Sequence, residues 1–222
     1  MKTKTNLIID FDSTLVTIEA LEELAQIALE GNSRKEVILT EVGEITQAGM
    51  EGRISFPESL SRRLALFSAN REHLNQLIEK AKNSLTPSLA TQEVREWIKK
   101  NRERVWVLSG GFTEVIEPVT DQLGLKREHV LANQFVFNQQ GDIIGVDQAN
   151  LLCQEQGKVK AVRALNLKGE TVMLGDGWTD YEVKKYGTAE EFGAFTENVY
   201  RKEVMKVADW EAKDFGEVIQ LV

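Results

Sequence analysis

Two carboxylates spaced i, i+2, Asp10 and Asp12, stand directly behind the apolar run Leu7-Ile8-Ile9, and the hydroxyls of Ser13 and Thr14 follow them. Asn6 to Ile9 reads as a short buried strand, so both acids fall at its carboxyl end, where open α/β sheets bind ligands. Such a pair can divide labour. One carboxylate serves as nucleophile and metal ligand, and the other, kept protonated by its like-charged neighbour, as general acid. The same residues also suit an ordinary strand-to-helix turn, because Asp and Ser are good turn and N-cap residues. Two further strand ends weigh against that plain reading. Val105 to Leu108 discharges into Ser109-Gly110-Gly111, ahead of a helix expected over Phe112 to Leu123. Backbone N–H groups at that helix start, with the Ser109 hydroxyl, can cradle a phosphate. Thr171 to Leu174 discharges into Gly175-Asp176-Gly177-Trp178-Thr179-Asp180. There Asp176 can ligate Mg²⁺ directly, while Asp180 holds the ion through water or orients the direct ligand.

The elements that must position these groups follow from hydrophobic spacing. From Ile18 to about Lys82 the pattern is helical throughout: Leu21, Leu24, Ala25, Ala28 and Leu29, then Val37, Ile38, Val42 and Ile45, then Leu60, Leu64 and Phe67, then Leu74, Leu77, Ile78 and Ala81. Four such helices make a small bundle over the first acid pair. After Pro87 the chain alternates helix and strand, beginning with a helix near Leu89 to Lys100. That alternation predicts an α/β fold, a doubly wound (Rossmann-like) parallel sheet core over 1–16 and 84–222 with an inserted helical-bundle cap over 17–83. Val130 to Phe137 and Ile143 to Val146 flank a polar segment and predict a β-hairpin turning at Gly141.

Composition sets compatible limits. The 222 residues are 42% hydrophobic and 28% charged, ordinary for a globular protein with one core and a smaller module. A net charge of −8 argues against non-specific binding to nucleic acid or an anionic membrane. It does not forbid a phosphate substrate, since a cation and local N–H groups set the potential at the site. Cys153 is the single cysteine, so no internal disulfide forms and a reducing, cytoplasmic setting is expected. Neither His73 nor His129 is near it in sequence, which argues against a cysteine nucleophile. No signal-peptide or transmembrane pattern is present, and a monomer or homodimer is expected.

Taken together, Asp10-x-Asp12-x-Thr14, Ser109-Gly110-Gly111 and Gly175-Asp176-Gly177-x-x-Asp180 resemble the signature of the haloacid-dehalogenase superfamily of phosphotransferases, over nearly the whole chain. That superfamily's fourth element is a lysine between the second and third motifs. Lys158, opening the helical pattern from Gly157 to Leu165, matches it best. Lys160, on a different part of the same helix surface, stays open as the alternative, and solvation is the common fate of either. The resemblance implies that Asp10 attacks phosphorus and forms an aspartyl-phosphate. It implies Mg²⁺ held by Asp10, the Asp12 backbone carbonyl and Asp176, with support from Asp180. Ser109, Gly110 and Lys158 would then bind the remaining phosphoryl oxygens, and Asp12 would act as acid, then base.

A helical cap between the first and second motifs looks like the subgroup that contains phosphoserine phosphatase. Its substrate-selecting residues fall here on Glu19, on Met50 of the turn Met50-Glu51-Gly52, on Phe56 and on Arg63, with Thr179 as a further contact. Arg63 can grip a carboxylate in bidentate fashion and Glu19 can meet an ammonium, which suits a zwitterionic amino acid. Structural explanations stand beside these. Glu19 suits a helix N-terminus, Met50 and Phe56 suit a core, and Arg62 adjoins Arg63. Trp178 departs from the pattern, since many relatives carry a small residue there, and is expected to pack beside the metal loop. The implied function is hydrolysis of a small phosphorylated substrate, phosphoserine foremost, in serine biosynthesis. A phosphatase for another metabolite, a phosphotransferase to an amino-acid alcohol and a non-catalytic binding module are the alternatives.

Overall fold

A computed structural model describes residues 5–222; the first four residues of the expected 1–16 segment lie outside the described residues. In chain order the strands are β1 (Asn6–Ile9), β2 (Val105–Phe112), β3 (Val130–Asn133), β4 (Phe135–Phe137), β5 (Ile143–Val146), β6 (Thr171–Gly175), β7 (Glu191–Phe195) and β8 (Trp210–Ala212). The helices are α1 (Ala20–Ala28), α2 (Lys35–Met50), α3 (Phe56–Leu64), α4 (Arg71–Lys82), α5 (Gln92–Asn101), α6 (Thr113–Thr120), α7 (Gly157–Leu165), α8 (Trp178–Lys185), α9 (Lys202–Met205) and α10 (Phe215–Leu221).

Six strands pair in the order β3-β2-β1-β6-β7-β8, every neighbour parallel. The side-chain period of two sends Leu7, Ile9, Val105, Val107, Val172 and Leu174 to one face, where Val94, Ile98, Val115, Ile116, Phe215 and Val218 cover them. Ile8, Leu108, Met173 and Phe192 point to the other face, against Ala161, Val162, Val183 and Val204. Burial on both faces explains why these strands read as continuous apolar runs. From β1 the chain proceeds outward on one side to β2 and β3, and later on the other side through β6 to β8. The sheet therefore reverses between β1 and β6, and ligands of open α/β sheets bind outside the carboxyl ends at such a point. The β1 and β6 ends carry Asp10 and Asp176.

Helices α1 to α4 fill the long excursion between β1 and α5. Leu21, Leu24, Leu60, Leu74 and Leu77 join the same buried cluster as Leu7 and Ile116, so the excursion shares its core with the sheet. Val42 of α2 forms a separate small cluster with Ala25 and Leu29 from α1 and its C-terminal end. Local signals set the helix starts. Ser55 caps α3, with Pro57 in its first turn, and the Asn70 side chain accepts from the N–H groups of Glu72 and His73 at α4. No helix among the described residues is long and apolar enough to cross a membrane.

Two expected elements are corrected. Strand β2 continues through Ser109-Gly110-Gly111, and Phe112 pairs with Asn133 in an extended conformation, so α6 begins at Thr113. It ends at Thr120 and gives way to a tight turn over Asp121–Leu123, closed by Gly124 in the left-handed region. The run Val130 to Phe137 is not one strand. It breaks at Gln134: β3 stays on the main sheet, while β4 turns away to pair antiparallel with β5. Side chains replace the ladder at the break, because Asn133 Nδ2 donates to the Gly110 carbonyl at 2.9 Å and Phe135 N donates to Glu114 Oε1 at 3.0 Å. The hairpin turns over Asn138–Asp142, with Gly141 at φ 88°.

Candidate active site

The acid pair sits where the sheet reverses. Asp10 N donates to the Leu174 carbonyl at 2.9 Å, which ties the β1 end to the β6 end. Beyond Asp10 the chain reverses through Ser13, whose φ of 52° lies in the left-handed region. That turn is held by Ser13 N to the Ile18 carbonyl at 3.1 Å and by Asn198 Nδ2 to the Ser13 carbonyl at 3.1 Å. It brings Asp12 Oδ1 onto the Ala20 N–H at 2.7 Å, so Asp12 satisfies a free donor at the start of α1.

Lys158 enters from the start of α7. Its Nζ donates to Asp10 Oδ1 at 2.7 Å and to Asp180 Oδ1 at 2.6 Å, both within the protein. Lys160 points elsewhere: it is exposed and reaches Gln154 Oε1 at 3.1 Å. Asp180 Oδ2 accepts from Gly177 N at 3.0 Å, which shapes the loop after β6. Oxygens of Asp10, Asp176 and Asp180 lie within 4.8 Å of one another, and the buried Asp176 Oδ1 has no hydrogen-bond partner among the described residues. An orphaned carboxylate oxygen beside two more buried acids fits a hard divalent cation such as Mg²⁺, which takes oxygen ligands. The buried Ser109 hydroxyl accepts from Gly111 N at 2.8 Å. These glycines belong to the end of a strand, not to a helix start.

Burial and like charge set the protonation states. Burial, reinforced by the Asp10 charge, pushes Asp12 up to about 7, against the opposing Ala20 N–H. Asp180 is pushed up to about 8 by burial and by Asp10, with Lys158 opposing. Burial alone would pull the Lys158 ammonium down, but the Asp10 and Asp180 carboxylates outweigh it, and the net shift is upward. Glu19 is held well above the usual carboxylate range by burial and by Asp12 and Asp176. Burial pulls Arg63 down, with Glu19 and Asp12 opposing.

A cavity of about 50 Å³ collects these groups: Asp10, Asp12, Gly110 and Lys158 from the sheet side meet Glu19, Met50, Phe56 and Arg63 from the helical excursion, with Thr179 beside them. Buried Arg63 is aimed by two contacts, Nε to the Ser59 carbonyl at 3.3 Å and Nη1 to Thr46 Oγ1 at 3.3 Å. Arg62 instead lies exposed and pairs with Glu58. A larger, outer cavity of about 320 Å³ adjoins the first, sharing Gly49, Phe56, Gly110, Lys158 and Thr179.

Sequence spacing missed Arg201. Its Nε donates to Asp176 Oδ2 at 2.7 Å and its Nη2 to Glu19 Oε1 at 3.3 Å, so one guanidinium links the acid loop to the helical excursion. The available signal was weak: Arg201 follows Glu191–Phe195, a strand whose carboxyl end faces the same crevice. Ser13 was read only as part of a turn, yet its hydroxyl donates to Glu19 Oε1 at 2.7 Å.

Comparison with known proteins agrees with this geometry. A family model described as haloacid dehalogenase-like hydrolase matches residues 7–184. Phosphoserine phosphatase of Homo sapiens is 32% identical to this chain, covering 95% of it and 89% of the human protein. A phosphoserine phosphohydrolase-like protein from Francisella tularensis superposes with a TM-score of 0.85 at 31% identity, each chain covered completely (100%). A phospho-aspartyl intermediate analogue of phosphoserine phosphatase superposes with a TM-score of 0.76 at 28% identity, again over 100% of both chains.

Proposed function

The chain belongs to the haloacid dehalogenase-like hydrolase family, and from that membership we propose that it hydrolyses O-phosphoserine to serine and phosphate through an aspartyl-phosphate. The observation that carries the substrate is the small cavity. It sets Glu19 and Arg63, an acid and a guanidinium, opposite the Asp10, Asp12 and Lys158 cluster. A phosphate at the cluster leaves an ammonium to meet Glu19 and a carboxylate to meet Arg63. Residues 17–83 act in this reading as the cap that selects the substrate, and 1–16 with 84–222 as the catalytic core. The lone, buried Cys153 suits a reducing compartment, and the cytoplasm is part of the same reading.

Asp10 attacks the phosphorus in line and takes up the phosphoryl group, while the seryl oxygen departs. Asp12, whose carboxyl is pushed up to about 7 by its burial and by Asp10, gives that oxygen its proton. It then accepts a proton from the water that cleaves the acyl phosphate, returning Asp10 to a carboxylate. The Ser109 hydroxyl, Gly110 N–H and charged Lys158 bind phosphoryl oxygens as negative charge builds up on them. Asp10, the Asp12 carbonyl and Asp176, supported by Asp180, would hold Mg²⁺, which supplies a Lewis-acid counter-charge for the phosphoryl oxygens. Met50, Phe56 and Thr179 line the pocket and keep water from the first step.

A panel of phosphorylated metabolites assayed with Mg²⁺ tests the substrate: phosphoserine should give the highest kcat/KM. A different ester leading the panel would move the substrate assignment and leave the hydrolase chemistry. For the metal, Asp176→Ala should raise the Mg²⁺ requirement sharply and excess chelator should silence the wild type. Calcium should inhibit, since it prefers about six to eight flexible ligands at longer distances and would misplace Asp10. Full activity in chelator contradicts the metal assignment.

A further inference from the structure

The catalytic scheme gives no task to Trp178, although it stands between Gly177 and Thr179 in the acid loop. Cap and core meet over the pocket through two aromatic-on-glycine contacts of opposite sense. On the phosphate side a cap ring lies on a core glycine: a Cβ on Gly110 would come within 2.5 Å of the Phe56 ring. On the acid-loop side a core ring lies on a cap glycine: a Cβ on Gly52 would come within 2.7 Å of Trp178 Cγ. Gly52 also sits at φ 71°, where other residues are strained. Beside it, Met50 Sδ would stand 3.0 Å from a Cβ on Gly177, so the whole Met50–Gly52 turn rests on the Gly177-Trp178 segment. The ring is braced from its own side, edge-on to Tyr181 with centroids 5.1 Å apart and with Lys185 Nζ 5.7 Å from its centroid.

Gly52 and Trp178 line the outer cavity of about 320 Å³, and Met50 lines the inner pocket of about 50 Å³ that adjoins it, so movement of the cap turn changes access to the reacting groups. In each cycle the turn must return to the same place, because Met50 is a wall of that pocket. We propose that Trp178 is a positioning residue: its ring is the core-side seat on which the Gly52 turn docks, and it sets the fraction of the enzyme able to close over substrate. This rests on the reading of residues 17–83 as a cap that closes over a small phosphomonoester. When only a fraction of the enzyme is closure-competent, apparent affinity falls by that fraction while the chemistry of the closed state is unchanged.

The test uses the 222-residue chain loaded with Mg²⁺, with phosphoserine and with p-nitrophenyl phosphate, in the variants Trp178→Ala, Trp178→Phe, Gly52→Ala and Gly52→Ala/Trp178→Ala. Trp178→Ala should raise KM about fivefold to twentyfold and leave kcat within about threefold, and Trp178→Phe should restore KM. Trypsin cleavage after the exposed Arg53 should quicken in Trp178→Ala and return to the wild-type rate in Trp178→Phe. Gly52→Ala should cost at least about tenfold more in the wild type than in the Trp178→Ala background, where the overlapping ring is gone. Independent, multiplicative losses, or a loss in kcat at unchanged KM, overturn the proposal. Trp178→Leu carries the same comparison if the alanine variant does not fold. The coupling is read on whichever ester is hydrolysed. Failure of phosphoserine as substrate would therefore overturn the substrate reading alone, and absence of coupling would overturn the seat alone.

Discussion

Asp10→Asn is expected to abolish turnover, because an amide is not a useful nucleophile toward phosphorus. Asp12→Asn should instead keep the fold and slow turnover by roughly 10²–10⁴, the usual worth of a positioned acid or base. The two differ because, in the proposed mechanism, Asp10 forms the new bond, whereas Asp12 moves a proton that water can move slowly. Asn at position 12 can still accept from the Ala20 N–H, so the start of α1 stays capped. Steady-state kinetics together with thermal denaturation separate these effects. Equal, complete losses in both variants, with both folded, would show that the two acids do not have distinct roles.

Glu19→Gln and Arg63→Gln should each injure phosphoserine hydrolysis far more than hydrolysis of p-nitrophenyl phosphate. The aryl ester has neither ammonium nor carboxylate and never uses those contacts. Losing one charged partner in a closed, buried site leaves the other charge unpaired, at a cost on the order of 2–5 kcal/mol. That corresponds to a loss of roughly 30-fold or more in kcat/KM for phosphoserine. Glu19 has a second partner in Arg201, which also holds Asp176. The aryl ester therefore controls for damage to the acid loop. Equal losses on both substrates would make Glu19 and Arg63 supports of the cap, and the phosphoserine assignment would fall while the phosphatase chemistry stood.

The parts of the site legible in the sequence are those fixed by local geometry. Asp10, Ser109 and Asp176 each follow an apolar run directly, and a parallel sheet brings the carboxyl ends of such runs together. Residues whose place depends on packing between distant elements were less accessible. Arg201 reaches Asp176 and Glu19 from the segment after β7, and nothing in its neighbours' spacing points to the crevice. The break at Gln134 was hidden for a similar reason: Val130 to Phe137 has uniform strand character, and only the contacts of Asn133 and Phe135 with other segments divide it. Periodicity gave the helices of the excursion well, yet it carried no sign that Leu74 and Leu77 share one core with Leu7. Trp178 was visible as an odd residue, but the close approach of its ring to Gly52 is a relation between residues far apart in the chain.

The most direct test of the aspartyl-phosphate reading is rapid acid quench of the enzyme mixed with phosphorus-labelled phosphoserine, followed by peptide mapping. A burst of acid-stable label on the peptide carrying Asp10, absent from Asp10→Asn, is the expected result. Label on any other residue, or multiple turnovers with no trapped phosphoenzyme at any quench time, would contradict it.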